Sequence, residues 1–478
     1  PQKLICVSRP RRFGKSFATK MLCAYYSKDC DSRDLFENLK IAQDSTFETN
    51  LNQYHVIYLD ITLFLSTLKQ DDQLVKRMEK EIIRDLERVY PQVQNQENLI
   101  DALCIMHEIT NEKIILIIDE WDAMFRECKG QDKILDTYIL LLRSLFKSSL
   151  TDQLFAGVYM TGILPIKKYG HESAVSDFYE YTMVDPNPLQ EYIGFTEEEV
   201  ERLCRKHQKD YASMQQWYDG YFVGGIHVYN PKSVMESILR DKFSSYWTKT
   251  ETYEALRDYI DMNFDGLKDA VVNMLGGAAC EVDTGSFQND MTSMKSKDDV
   301  LTLLIHLGYL AYDEDKQSVR IPNVEVRQEF VRAIKNGNRT ELMKAIQRSD
   351  EILQATWQKD GDSVAELINE IHDEDTASLF YNNGQALRSV VKMAYTRVEE
   401  MPAGKGIADM IFYPKRETQA PALIVELKWD KTKDAAVEQM KEKKYVRALK
   451  DFRGEVLLVG INYDKTTREH SCLIEKAM

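Results

Sequence analysis

Residues 3–8, KLICVS, lead directly into RPRRFGKS and then into FATKMLCAYYS. The first run is short, apolar and rich in strand-favouring residues, so it predicts a strand. The last has helical apolar spacing. A strand, a tight loop and a helix in this order constrain the chain strongly. They set the first N–H groups of the helix, which have no acceptor within it, around whatever lies over the loop. The loop ends in Gly14-Lys15-Ser16, as a phosphate-binding loop does, yet Arg9 stands where the first glycine of such a loop normally is. On the phosphate reading, the backbone of Arg11, Arg12, Phe13 and Gly14 cradles phosphate oxygens. Lys15 reaches the β- and γ-phosphates, and the Ser16 hydroxyl binds Mg²⁺. The competing reading is an ordinary basic turn that caps a helix.

A second stretch weighs between the two. KIILIIDEWDAMF, residues 113–125, is an apolar strand ending in Asp119-Glu120. A strand apolar throughout is expected where both faces of a parallel sheet are covered. Its C-terminal end is where open α/β sheets bind ligands. Asp119 is the expected holder of the Mg²⁺ shell, and Glu120 the group that polarises an attacking water. Two more strands are predicted at 54–61 and 154–163. The last ends near Thr161, which is read either as a sensor of the γ-phosphate or as a capping threonine. In the intervening helix Ile134, Tyr138, Leu141, Leu142 and Leu145 share one face. Alternating strands and helices give an α/β fold, a three-layer parallel sheet of P-loop NTPase type. SRPRRFGKS, LIIDEWD and MTGI resemble the AAA-ATPase-like family of bacterial proteins, whose loop also lacks the first glycine. The resemblance implies ATP as the ligand.

The net charge of −15 argues against a whole-surface nucleic-acid binder and leaves room for a local basic groove. Eight scattered cysteines without a C-x-x-C pair read as a reduced, cytoplasmic protein. No apolar run approaches the roughly 20 residues of a membrane helix, so no membrane partner is expected. No secretory signal is visible, but the chain opens almost directly on a strand, so targeting is only weakly excluded.

Residues 191–345 read as mostly helical, with a capping signature at Thr196 and Glu199. The aromatic stretches WYDGYFVGG and HVYNP resemble the same family's pattern and read as packing. Residues 301–330 suggest helix, strand, turn, strand, helix, a winged-helix-like arrangement. The expected division is therefore 1–190, 191–345 and 346–478.

The last of these domains changes character. KGIADMIFYP (405–414) and APALIVELKWD (420–430) predict neighbouring antiparallel strands. The period of two puts Glu426 and Lys428 on one face. Asp409 and Glu426 are expected to converge on one Mg²⁺, with Lys428 beside the attacking water, an arrangement for phosphodiester hydrolysis. A surface strand pair with ordinary charges is the bland alternative. Residues 401–453 carry twelve Lys/Arg against eight Asp/Glu, which suits a phosphate backbone such as DNA. GKGIADMIF, PALIVELKW, EQMKEKKY and LLVGINYD resemble the PD-(D/E)XK nuclease superfamily, an α/β restriction-endonuclease-like fold. The resemblance implies Asp409, Glu426 and Lys428 as the catalytic core and Gln439 as a supporting residue. Two departures stand out. Gly384 occupies a position where an acid is expected, and the stretch before Asp409 is shorter than the pattern. The expected function is an ATP-gated, Mg²⁺-dependent nuclease. The alternative is a nucleotide-controlled binding switch with an inactive nuclease-like domain. Homo-oligomer formation stays open.

Overall fold

The computed structural model describes residues 2–147, 149–166, 177–247, 256, 259–260, 264, 266–275, 277–285, 287, 294–335, 351–374, 395–403, 406–414, 421–449, 452 and 454–477. The chain divides into two compact units, Pro1–Lys249 with Glu281–Val326, and Thr250–Cys280 with Arg327–Met478.

The first unit is built on strands β1 (Leu4–Ser8), β2 (His55–Asp60), β3 (Ile114–Asp119), β4 (Phe155–Gly162) and β5 (Tyr179–Tyr181). They form one parallel sheet in the order β2-β3-β4-β1-β5. All six residues of β3 are buried, as its unbroken apolar run requires. Ile114, Leu116 and Ile118 join a core with residues of α2 (Leu74–Val89), α3 (Leu99–Thr110) and α5 (Asp132–Phe146). By the period of two, Asp119 belongs to the other face, where α1 (Lys15–Tyr26) crosses. The face of α5 read from the sequence, Ile134 to Leu145, is buried. Between β3 and α5 lies the short helix α4 (Ala123–Glu127).

Farther along, β6 (Phe195–Thr196) leads into α6 (Glu197–His207), with the Thr196–Glu199 capping box formed in both directions. After α7 (Tyr211–Tyr218) the aromatic stretch makes a hairpin, β7 (Tyr221–Val223) and β8 (Ile226–Tyr229), and β6 pairs with β8. Pro231–Arg240 is α8, capped by Asn230. Beyond β9 (Cys280–Glu281), the sequence order of a winged helix appears: α9 (Lys297–His306), hairpin β10 (Ala311–Asp313) and β11 (Ser318–Arg320), then α10 (Val324–Lys335).

The second unit carries β12 (Tyr395–Ala403), β13 (Gly406–Pro414), β14 (Ala422–Trp429), β15 (Val456–Asp464) and β16 (Glu469–Lys476), in that order across one sheet. Only β14 and β15 are parallel. Pro402 lies on β12, an edge strand, the part of a sheet in which proline is tolerated. Leu423, Val425, Leu457 and Val459 pack with Val364 and Ile368 of α11 (Gly361–Glu374). Ala422, Ile424 and Leu458 pack with Val437 and Met440 of α12 (Lys433–Glu442). Helices therefore cover both faces. No helix among the described residues is long and apolar enough to cross a membrane, and no disulfide forms among the described residues.

Candidate functional site

In the first unit the loop after β1 and the acids after β3 lie over one end of the sheet. β4 runs between these two strands, and its Thr161 stands beside Val7 of β1. Gly14 caps α1 at φ 95°, and Arg12 precedes it at φ 71°. Two left-handed residues this close let the backbone double back before the helix begins. Lys15 is 4% exposed. Its ammonium donates to the carbonyls of Arg9 (3.0 Å) and Pro10 (3.1 Å) and lies 3.5 Å from Glu120 Oε1. Ser16 is exposed at the helix N-terminus.

Asp119 is buried inside a ring of donors. Thr161 Oγ1 and the Glu120 N–H (3.1 Å) donate to its Oδ1, and Tyr58 (3.2 Å) and Thr19 (3.5 Å) to its Oδ2. The sequence reading missed Thr19 and Tyr58. Thr19 was legible, because it lies three residues beyond Ser16 on the same helix face. Tyr58 was not, because only the pairing of β2 with β3 brings it there.

Glu120 turns off the strand at φ 52°. Its second oxygen takes a 2.5 Å bond from Arg126, which also lies 3.2 Å from Asp122. Burial raises the Glu120 carboxyl, but Lys15, Arg126 and Arg11 outweigh it and hold its pKa below the ordinary value. For buried Asp122 the balance reverses: burial outweighs Arg126 and lifts its pKa. Asp122 also accepts from the N–H groups of Ile163 (3.1 Å) and Leu164 (2.9 Å), fixing the chain after β4. Neither Asp122 nor Arg126 was singled out from the sequence.

The substitution at Arg9 has a structural account. Its guanidinium is 1% exposed and donates to the carbonyls of Ser8, Tyr181 and Thr182 (3.1, 3.3 and 2.7 Å). Burial pulls its pKa down to about 10. The side chain thus ties the loop to the end of β5, and the backbone carbonyl of the same residue receives Lys15. Arg12 donates to the Tyr246 carbonyl, and Phe13 packs edge-on against Tyr221 at 5.4 Å. Arg12 and Phe13 therefore direct their side chains to packing partners.

In the second unit Glu426, 3% exposed on β14, accepts through Oε1 from Lys428 (3.0 Å) and from Gln439 of α12. Lys428 also donates to Gln439 Oε1 at 2.7 Å, and the Gln439 amide donates to the Tyr445 hydroxyl at 3.2 Å. Glu426, Lys428 and Gln439 therefore form one cluster. Met410 of β13 pairs with Val425, so the backbone of Asp409 comes level with Glu426. Glu399 and Met401 pair with Met410 and Ala408, which puts the backbone of Glu400 beside Asp409. The Asp409 side chain and Gly384 lie outside the described residues.

Both sites offer hard oxygen donors of the kind Mg²⁺ takes: Ser16 and Asp119 in one, Glu426 in the other. Among the described residues no three His, Cys, Asp or Glu side chains cluster as a metal cage. Mg²⁺ usually needs only one or two protein carboxylates, with water and substrate oxygens supplying the rest, so the donor sets fit it.

Residues 1–171 match the family described as Predicted AAA-ATPase, and residues 377–471 match the PD-(D/E)XK nuclease superfamily. An uncharacterized protein in the vnfD 5′ region of Azotobacter chroococcum mcd 1 is 23% identical over 263 residues, 53% of this chain. The chain covers about half, 48%, of that relative's length. The solved structure of the Aeropyrum pernix ORC2 protein is 11% identical and covers 70% of this chain and 87% of its own, with a TM-score of 0.31. The chain thus joins an AAA-ATPase-like domain near its N-terminus to a PD-(D/E)XK nuclease superfamily domain near its C-terminus.

Proposed function

We propose that the protein binds and hydrolyses ATP at the loop 9–16 and cleaves nucleic-acid phosphodiesters at Glu426 and Lys428, with cleavage gated by nucleotide. One observation carries this reading. Each unit has a lysine facing a glutamate at the C-terminal end of a buried strand, Lys15 with Glu120 at 3.5 Å and Lys428 with Glu426 at 3.0 Å.

In the first site the N–H groups at the start of α1 receive phosphate oxygens, and Lys15 exchanges its loop carbonyls for the β- and γ-phosphates. Glu120, kept ionised by its cationic neighbours, orients water and accepts its proton. Thr161 and Tyr58 hold Asp119 in place. In the second site Lys428 stabilises negative charge growing on the phosphoryl oxygens, while Gln439 fixes both Lys428 and Glu426. Ser16 with Asp119, and Glu426 with Asp409, would hold Mg²⁺. When bound, the metal supplies charge neutralisation and a more acidic water.

Titration with ATP should show Lys15→Ala binding at least about tenfold more weakly than wild type, through loss of a charge-assisted contact. Plasmid cleavage with Mg²⁺ or Mn²⁺ should fall about 100-fold or more in Glu426→Gln and in Asp409→Ala, the scale of losing one catalytic group. Unchanged ATP affinity removes the nucleotide half, and unchanged cleavage the nuclease half. Gly384, where an acid is expected, favours a second reading in which the C-terminal domain grips its partner without cutting. Salt-sensitive DNA binding with no cleavage in wild type is its signature.

A further inference from the structure

The end of β14 carries a feature that neither site uses. Trp429 follows Lys428, so it leaves the opposite face of the sheet at the same strand end. It is 43% exposed, whereas Trp121 and Trp247 are buried. The register sets it beside Tyr463 of β15, and Tyr463 beside His470 of β16. The three rings form a row across three strands, with centroids 4.8 and 4.9 Å apart. Asn369 of α11 anchors the far end, accepting from the His470 N–H at 2.8 Å and meeting its Nδ1 at 2.7 Å. The Lys465 ammonium stands 5.3 Å from the Trp429 ring centre. Lys431 and Arg468 are exposed in the adjoining turns. The neighbouring Asp464 and Asp430 are bound into those turns, accepting from the N–H groups of Thr466 (2.7 Å) and Lys465 (2.8 Å).

A large exposed indole, braced by two further rings and with a lysine against its ring that also lies 3.5 Å from Asp430, has the makeup of a single-strand stacking platform. Bases stack on such rings whatever their sequence, and cations beside them meet the phosphates. We propose that Trp429, Tyr463 and His470 stack the unpaired bases of a single-stranded nucleic acid at the strand end they share with Lys428, and that the strand rounds this end to reach Glu426 and Lys428 on the other face. This rests on the nuclease reading of that site. A duplex offers no open base faces to such a row, so single-stranded or frayed substrate is the preferred class.

The test is binding of a labelled oligothymidylate to the full chain in EDTA, read by fluorescence anisotropy. Trp429→Ala should weaken binding about tenfold, and Trp429→Phe should restore most of it, as expected for loss and recovery of one stacked base. A matched duplex should bind more weakly than the single strand. Glu426→Gln should bind the single strand as wild type does while losing cleavage. Equal binding by wild type and Trp429→Ala, with normal melting of both, overturns the platform and leaves the nuclease reading intact. A wild type that neither binds nor cuts any nucleic acid overturns the nuclease reading and the platform together.

Discussion

His306, the last residue of α9, is 3% exposed, and burial together with the charge of Arg9 drives its pKa down to about 3. An unfolded histidine takes up a proton near pH 6.5, whereas this one stays neutral in the fold. Below about pH 6.5 the unfolded chain therefore binds the extra proton, and stability falls as pH falls, by up to about 1.4 kcal/mol per pH unit until the folded pKa is reached. The melting temperature of His306→Phe should consequently decline less between pH 7.5 and 5.5 than that of wild type. Parallel declines would show that His306 does not titrate this way. Arg9 illustrates the limit of reading residues singly. As a letter it is a missing glycine. As a side chain it is a buried tie between the phosphate loop and β5.

At the scale of elements, the turn after α9 presses on the phosphate loop. Gly308 adopts φ 83°, and a Cβ built on it would lie 2.7 Å from Pro10 Cβ. Its carbonyl accepts from the Tyr221 hydroxyl at 2.5 Å, and Tyr221 in turn packs on Phe13. Gly308→Ala combines backbone strain with a clash against a rigid ring, so it should cost about 1–3 kcal/mol. Thermal unfolding reads the loss, and ATP affinity should fall with it because the displaced atoms belong to the loop. An alanine variant as stable as wild type would mean that this contact is loose. Among the longer strands, the sequence announced β1 to β4, β13 and β14, whose runs are largely apolar. Tyr179–Tyr181 and the hairpin 221–229 were not announced, because strands of three or four residues carry too little periodicity to read. Tyr395–Ala403 carries two adjacent glutamates and a proline, which hide an edge strand.

At the scale of the whole molecule, each unit has its own buried core, and calorimetry should resolve two transitions. ATP at about a hundred times its Kd should raise the first unit's stability by about 2.7 kcal/mol and leave the other's transition in place. A single transition, or two that move together, would show that the units unfold as one. The sequence by itself determined what depends on neighbours along the chain. It set the strand–loop–helix around Lys15, the acids closing the β3 run, and the shared face of Glu426 and Lys428. These follow from periods of two and 3.6 residues and from turn chemistry. Only the tertiary structure decided what depends on partners brought together from afar. It placed Tyr58 and Thr161 on Asp119, Arg126 on Glu120, Tyr445 on Gln439, and Trp429 beside Tyr463 and His470. Strand order and register make those meetings, and a side chain's hydrogen-bond partner or exposure is a property of the packed sheet rather than of its place in the chain.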